Sequence, residues 1–145
     1  MPTVVRSRTI AAPRDQLWEL VSDPYHLPRW WPTVQRVEDV SADAWTTVAT
    51  SSRGRAVRFD WSRVYINPPE RVVWRQELAQ TPFERFLRES VTGVILEPAG
   101  DATKVELRTV RRLRGLARFG GGIQMRRAVK RELDGALDQL EAVIA

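Results

Sequence analysis

The 145-residue chain has no cysteine and only one histidine, His26. The missing cysteines exclude disulfides, thiolate nucleophiles and zinc sites built on sulfur ligands. A second histidine for a metal site is also missing, so we expect no metal centre. Histidine is a common acid–base catalyst, but neither a serine nor a paired carboxylate is indicated as a partner of His26. We therefore favour a surface or rim position for His26 over a catalytic one.

Long apolar runs are also missing. No run approaches the roughly 18 residues of a membrane-spanning helix, and the first ten residues, MPTVVRSRTI, lack the apolar core of a signal peptide. These absences lead us to expect a cytoplasmic protein without a transmembrane segment.

Glycine-rich phosphate loops are equally lacking. The only glycine run, Gly120–Gly122, has neither the lysine-serine ending of a P-loop nor the spacing of a dinucleotide-binding fingerprint. We expect no cofactor, and we interpret the run as a hinge beside a cavity mouth.

What the chain does contain is enough apolar material for one core. Hydrophobic residues make up 43% of the sequence, and the length is typical of a single domain. No internal repeat or low-complexity linker divides it. We expect residues 1–145 to form one domain.

The net charge of +5 is concentrated in one stretch, residues 111–131, which we call the basic segment. It has no acidic residue and eight basic ones: Arg111, Arg112, Arg114, Arg118, Arg126, Arg127, Lys130 and Arg131. We favour a solvated helix face. A phosphate, an acidic ligand or an anionic membrane surface is the alternative partner.

Hydrophobic periodicity predicts an α+β fold. Alternating segments bounded by turn residues predict strands over 4–10, 34–40, 45–51, 55–66, 71–78, 86–96 and 104–111. A stripe of period 3.6 predicts a short helix over 12–23 and a long one over 123–144. Strands joined by short turns indicate an antiparallel sheet, and the long helix must bury its stripe against that sheet.

Four stretches in this order resemble the START/Bet v 1-like superfamily, the helix-grip fold often labelled SRPBCC or polyketide cyclase/dehydrase. They are Ile10-Ala11-Ala12-Pro13 followed by Leu17-Trp18, the segment Asp23-Pro24 to Trp30-Trp31-Pro32, the turn Asn67–Val72 with Trp74, and the C-terminal amphipathic helix. Together these stretches cover nearly the whole chain.

The resemblance implies a curved antiparallel sheet of about six or seven strands wrapped around the long C-terminal helix. Two short helices follow the first strand. Between sheet and helix it implies a deep, mostly apolar cavity that takes a hydrophobic or aromatic small molecule, entered near the short helices and the start of the long helix.

The strand over 55–66 supplies the main candidate site. Its two-residue period places Val57, Phe59, Trp61, Arg63 and Tyr65 on one face, which we expect to point inward. Arg63 would then hold a carboxylate, phenolate or enolate, and Tyr65 or a bound water would relay protons. The alternatives are that Arg63 reaches solvent at the strand end, or that a bulge reverses the phase. Related aromatase/cyclases carry a cavity arginine on this strand, but its place falls nearest Val64 here.

The remaining candidates for ligand binding are Trp30, Trp31, Trp74, Met125, Val129 and Ala136. Ordinary core packing is the alternative for each. Because Trp30 and Trp31 are adjacent, they cannot point the same way, so we expect one in the core and one at the cavity entrance. Val105, Leu107 and Thr109 are expected to face inward, whereas neither face of strand 86–96 is polar enough to decide its orientation.

Three functions remain open. The first is binding of a hydrophobic or aromatic small molecule, lipid or polyketide-like. The second is an aromatase/cyclase acting on a poly-β-ketone chain. The third is an adaptor that docks on RNA, a ribosome or a membrane through the basic segment. We expect no nucleic-acid partner, because Phe119 is the only aromatic among the arginines. Both a monomer and a homodimer are compatible with the sequence.

Overall fold

The computed structural model describes residues 3–115 and 120–145, which form one antiparallel sheet and a long C-terminal helix. In these ranges the sheet has seven strands in the order β1-β7-β6-β5-β4-β3-β2. The strands are β1 (Thr3–Ile10), β2 (Arg36–Glu38), β3 (Ala44–Thr50), β4 (Ala56–Asn67), β5 (Arg71–Gln76), β6 (Leu87–Ala99) and β7 (Ala102–Leu113). The predicted helix-grip architecture is confirmed.

Two short helices follow β1, as predicted. Helix α1 covers Arg14–Ser22, and α2 covers Leu27–Trp30 after a single 3-10 turn at Pro24–His26. Asp23 separates the two helices. Its side chain accepts a hydrogen bond of 3.0 Å from the backbone N–H of Tyr25, while the proline that follows restricts its own backbone to an extended conformation.

The long helix α3 covers Gly122–Ile144 and packs one face against the sheet. Its buried side chains are Val129, Leu133, Ala136, Leu137 and Leu140. This spacing of three and four residues is the stripe expected from the sequence. On the exposed side of the contact, Arg6 and Arg8 of β1 reach Asp134 and Asp138 of α3 at 2.7 and 2.6 Å, which ties the helix to the sheet edge.

The predicted strand 34–40 is shorter in the structure, where β2 contains only Arg36–Glu38. Asp39 takes a φ of 52°, a left-handed conformation that ends extended pairing. At the other end, Gln35 donates its backbone N–H to Val48, but the preceding residues form a turn.

Pairing with β5 decides the orientation of β6, which the sequence left open. Trp74 lies opposite Thr92 and Val72 lies opposite Val94, so these pairs share a face. Ser90, Thr92, Val94 and Leu96 are all buried on that inner face. On β7, Val105, Leu107 and Thr109 are buried as well, which confirms their predicted inward orientation.

A bulge in β4 changes the orientation of its last residues. The register with β5 shifts between Arg63, which pairs with Trp74, and Tyr65, which pairs with Val73. The extra residue, Val64, reverses the alternation. The expectation that Tyr65 shares the inner face with Trp61 is therefore wrong.

None of the helices in the described ranges has both the length and the hydropathy needed to cross a membrane.

Candidate functional site

A cavity of about 550 Å³ lies between the inner face of the sheet and the first half of α3. Strands β3, β4 and β5 form its back wall, and the segments around residues 31–35 and 83–87 form its sides. Seven aromatic side chains dominate the lining: Trp31, Trp45, Phe59, Trp61, Trp74, Phe83 and Phe86. A volume between roughly 300 and 1,000 Å³ with mostly apolar walls is characteristic of small-molecule sites.

Contacts between the aromatic rings hold the wall in place. Trp74 meets Trp45 and Trp31 edge to face, with ring centroids 6.1 and 6.3 Å apart. Phe59 stacks on Phe83 at 4.9 Å. Edge-to-face and offset-stacked pairs are the arrangements that aromatic quadrupoles favour, so the rings stabilise one another and keep the cavity walls defined.

The adjacent tryptophans separate into two roles. Trp30 is fully buried in the core and does not line the cavity. Trp31 lines the cavity, and its indole Nε1 donates a hydrogen bond of 2.8 Å to the Glu132 carboxylate on α3. That bond joins the α2 end to the long helix. Gly135 allows Pro32 to lie close to α3, because a Cβ at position 135 would lie 3.0 Å from Cγ of Pro32.

Arg111 and Glu132 form the charged part of the cavity. A guanidinium nitrogen of Arg111 lies 3.6 Å from a carboxylate oxygen of Glu132, and both side chains are about one-fifth exposed. A second Arg111 nitrogen contacts the Met125 sulfur at 3.8 Å. This pair places a cation and an anion beside the aromatic wall, where reduced solvent access strengthens their effect on a bound molecule.

Several buried donors in the cavity lining have no hydrogen-bond partner within the described residues. They are Trp45 Nε1, Gln76 Nε2 and Arg111 Nε. By contrast, Trp61 Nε1 donates to Thr47 Oγ1 at 3.0 Å. Buried donors are normally satisfied, and only five buried side-chain atoms of the described residues have no partner. The three that line the cavity suit a ligand that carries acceptor oxygens.

The structure brings together five of the predicted ligand-binding residues. Trp31, Phe59, Trp61, Trp74 and Met125 all line the cavity. Trp30 and Ala136 are fully buried in the core outside the lining, and Val129 lines a different cavity near the start of α3.

Arg63 does not line the cavity, contrary to expectation. It pairs with Trp74 across the sheet, but its guanidinium turns to the loop before β3. There it donates to the Ala42 carbonyl and lies 3.7 Å from the Asp43 carboxylate. The Arg63 guanidinium thus has its hydrogen-bond and charge partners, the Ala42 carbonyl and the Asp43 carboxylate, outside the cavity.

Tyr65, the other catalytic candidate, is also placed elsewhere. The β4 bulge turns it to the outer face, where it is 47% exposed and lies under the Arg71 guanidinium at 5.3 Å. His26 does not line the cavity either. Its Nε2 lies 3.7 Å from an Asp23 carboxylate oxygen.

Arg111 and Glu132 line the cavity but are not among the residues predicted from the sequence to bind a ligand. The alternation that places Val105, Leu107 and Thr109 inward continues to Arg111, which was grouped instead with a solvated helix face. That interpretation is wrong for residues 111–113, because they belong to β7. Glu132 lies three residues after Val129 on the apolar face of α3, so its helical position was the available signal.

The whole chain, residues 1–145, matches the family model described as polyketide cyclase / dehydrase and lipid transport. The chain belongs to this family. The polyketide cyclase / dehydrase and lipid transport family unites enzymatic and carrier descriptions under one fold, which agrees with the resemblance noted from the sequence. No curated protein matches the chain significantly.

Solved structures support the same fold for this family member. A START superfamily protein from Mycobacterium smegmatis is 14% identical, with a TM-score of 0.78 over 97% of this chain and 94% of that one. The di-domain ARO/CYC protein BexL of the BE-7585A biosynthetic pathway is 24% identical, with a TM-score of 0.77 over 98% of this chain and 46% of that one. StfQ, a di-domain ARO/CYC protein of the steffimycin pathway, is 17% identical, with a TM-score of 0.79 over 97% and 49%. The chain spans about half of each di-domain protein.

Proposed function

We propose that residues 1–145 act as one ligand-binding unit that holds an apolar or aromatic small molecule in the 550 Å³ cavity. The observation that carries this proposal is the aromatic wall with unpartnered buried donors at Trp45 and Gln76. Membership of a family described by polyketide cyclases and lipid transport supports it. Two further features fit the proposal: flat walls suited to rings or acyl chains, and N–H groups suited to ligand oxygens.

Filling the cavity tests this proposal. Ala49 lines the cavity on β3, so Ala49→Trp adds a large ring to the space a ligand needs. Binding is measured with N-phenyl-1-naphthylamine, a neutral aromatic probe whose fluorescence rises in apolar surroundings. We expect saturable binding to the unchanged chain and at least tenfold weaker binding to Ala49→Trp, because the added indole overlaps the ligand volume.

The matched control is Ala99→Trp, which makes the same substitution at an exposed position at the end of β6, away from the cavity. Circular dichroism of both variants establishes that the fold is kept. Equal affinity of the probe for Ala49→Trp and the unchanged chain would contradict the cavity as the binding site.

A second candidate function is cyclisation of a poly-β-ketone chain, favoured by the Arg111–Glu132 pair inside the cavity. Glu132 would remove a proton from a CH₂ group between two carbonyls. The resulting enolate carbon would attack a second carbonyl of the same chain, forming one C–C bond. Arg111 would stabilise the alkoxide, which takes the proton back from Glu132. Loss of the resulting hydroxyl group together with an adjacent hydrogen, as water, would then leave a C=C bond in the ring. Arg111 thus replaces Arg63 in the role predicted from the sequence.

The adaptor hypothesis stays a prediction. Arg118 and Phe119 of the basic segment lie outside the described residues.

A further inference from the structure

A second cavity, of about 530 Å³, lies beside the start of α3 at the edge of the sheet. The first described residue of β1, Thr3, pairs with Val110 of β7. Residues 111–113 of β7 therefore extend beyond the described start of β1. The cavity occupies the space between this extension and the first two turns of the helix. Its apolar surface comes from Val4, Leu113, Ile123 and Val129.

Four arginines also line this cavity: Arg88, Arg111, Arg112 and Arg126. No acidic side chain lines it among the described residues. Four guanidinium groups around one space create a strongly positive potential, and the first turn of a 23-residue helix adds to it, because Gly122 at the start of α3 also lines the cavity.

Two of these four arginines, Arg111 and Arg112, form salt bridges with carboxylates. Arg112 and Arg111 lie 3.7 and 3.6 Å from the carboxylates of Glu89 and Glu132, neither of which lines the second cavity. Within residues 3–115 and 120–145, Arg88 forms no salt bridge. Arg126 donates to the backbone carbonyl of Thr3 at 2.9 Å. Among the described residues no carboxylate lines the cavity itself, so its surface carries positive charge.

Arg111 and Met125 line both cavities and form the partition between them. Arg111 Nε is buried and has no hydrogen-bond partner among the described residues. A guanidinium has five N–H donors in a planar fork, so Arg111 can contact groups on both sides of the partition.

We infer that the second cavity binds the oxyanion of an amphiphile: a carboxylate or phosphate monoester joined to an apolar chain. The arginines hold the oxyanion through charge-assisted hydrogen bonds, and the chain packs against the apolar surface. This site does not depend on the function proposed for the first cavity. It also gives a binding role to Arg112 and Arg126 of the basic segment, neither of which lines the first cavity.

The experiment is an NMR titration of the whole chain with octyl phosphate below its micellar concentration. Methyl signals of Val4, Leu113 and Ile123 report on the second cavity, while indole N–H signals of Trp45 and Trp61 report on the first. We expect saturable shifts of the methyl signals. If only the indole signals shift, the inference is overturned while the proposed function stands. If the methyl signals shift but N-phenyl-1-naphthylamine does not bind the first cavity, the inference stands and the proposed function is overturned.

Two further ligands separate the parts of the amphiphile. Octanol keeps the chain without the oxyanion, and inorganic phosphate keeps the oxyanion without the chain. We expect both to bind the second cavity at least tenfold more weakly than octyl phosphate. An affinity for octanol equal to that for octyl phosphate would show that the oxyanion does not contribute to binding. An equal affinity for inorganic phosphate would show that the apolar chain does not contribute. Either outcome overturns the inference.

A matched pair of variants tests the arginines. Arg88→Gln removes a charge that lines only the second cavity, and Arg108→Gln removes one from an exposed position on β7 that lines neither. We expect octyl phosphate to bind Arg88→Gln about tenfold more weakly, the loss of one charge-assisted hydrogen bond, and to bind Arg108→Gln unchanged. Equal weakening in both variants would show a general charge effect and overturn the site.

Discussion

Arg111 and Arg63 show how the surroundings of a side chain decide its use. Both are arginines on the last half of a long strand, and both are about one-fifth exposed. Arg63 is satisfied by a loop carbonyl and the Asp43 carboxylate, outside the cavity. Arg111 faces Glu132 and Met125 and keeps one buried N–H unpaired. Only Arg111 is placed to contact a molecule in the cavity.

This contrast gives a prediction about ligand charge. We expect Arg111→Gln to weaken binding of 2-naphthoate, an aromatic carboxylate, by about tenfold, because one charge-assisted hydrogen bond to the ligand is lost. Binding of neutral N-phenyl-1-naphthylamine should change little. Competition titrations followed by probe fluorescence measure both affinities.

Arg63→Gln is the matched control, since it removes an arginine of similar exposure from outside the cavity. We expect it to bind both ligands like the unchanged chain. A larger loss of 2-naphthoate affinity in Arg63→Gln than in Arg111→Gln would contradict the role of Arg111 and indicate that Arg63 binds the anion.

Among the elements, β2 is the shortest strand of the described sheet and is reinforced by charge on its outer face. Glu38 accepts hydrogen bonds of 3.0 Å from both Arg58 of β4 and Arg36 of β2 itself. Val48 of β3 lies between the two arginines in the pairing and is fully buried. The ion-paired side chains thus cover an apolar residue on the outer face of the sheet.

The Glu38 contacts predict a pH-dependent contribution to stability. Hydrogen bonds from Arg58 first, and then Arg36, lower the pKa of Glu38 below its ordinary value of 4.5. The carboxylate therefore stabilises the fold fully above that value, and this contribution is lost as the pH falls through the lowered pKa. We expect Glu38→Gln to lower the free energy of unfolding slightly at pH 7 and by a smaller amount at pH 2.5, measured by urea denaturation.

Glu97→Gln is the control for this prediction, because Glu97 is exposed and takes part in no salt bridge within the described ranges. It should leave the free energy of unfolding unchanged at both pH values. High salt should also reduce the Glu38 effect, since the pairs are exposed and screened. A Glu38→Gln effect as large at pH 2.5 as at pH 7 would contradict the electrostatic origin.

At the scale of the molecule, the first cavity exists only when distant parts of the chain are assembled. Its lining joins Trp31, Trp45, Trp74, Phe83 and Glu132, from the α2 end to the middle of α3. An unfolded chain cannot present these residues together. A ligand of this cavity therefore binds the folded state selectively.

Selective binding predicts thermal stabilisation. At a free probe concentration of 100 times Kd, the free energy of unfolding should rise by about 2.7 kcal/mol. For a domain of this size that corresponds to an increase in Tm of roughly 5–10 °C. Differential scanning calorimetry with N-phenyl-1-naphthylamine measures the shift. Binding without any increase in Tm would indicate equal affinity for the unfolded chain, and thus no assembled site.

The sequence by itself determined the kinds and order of the elements. Alternation identified the seven strands, and the 3.6-residue stripe identified α3, because both patterns are local consequences of backbone geometry. The same patterns placed Phe59, Trp61 and Trp74 on the face that lines the cavity. Alternation along β7 also contained the inward position of Arg111.

The tertiary structure alone decided what depends on pairing between distant segments. The bulge at Val64 separated Tyr65 from the face of Trp61, because one inserted residue reverses every later side chain in the strand. Register with β5 chose the inner face of β6. The meeting of Arg111, Glu132 and Trp31 required the sheet, α3 and the α2 segment to pack together, since no local pattern relates residues on three separate elements.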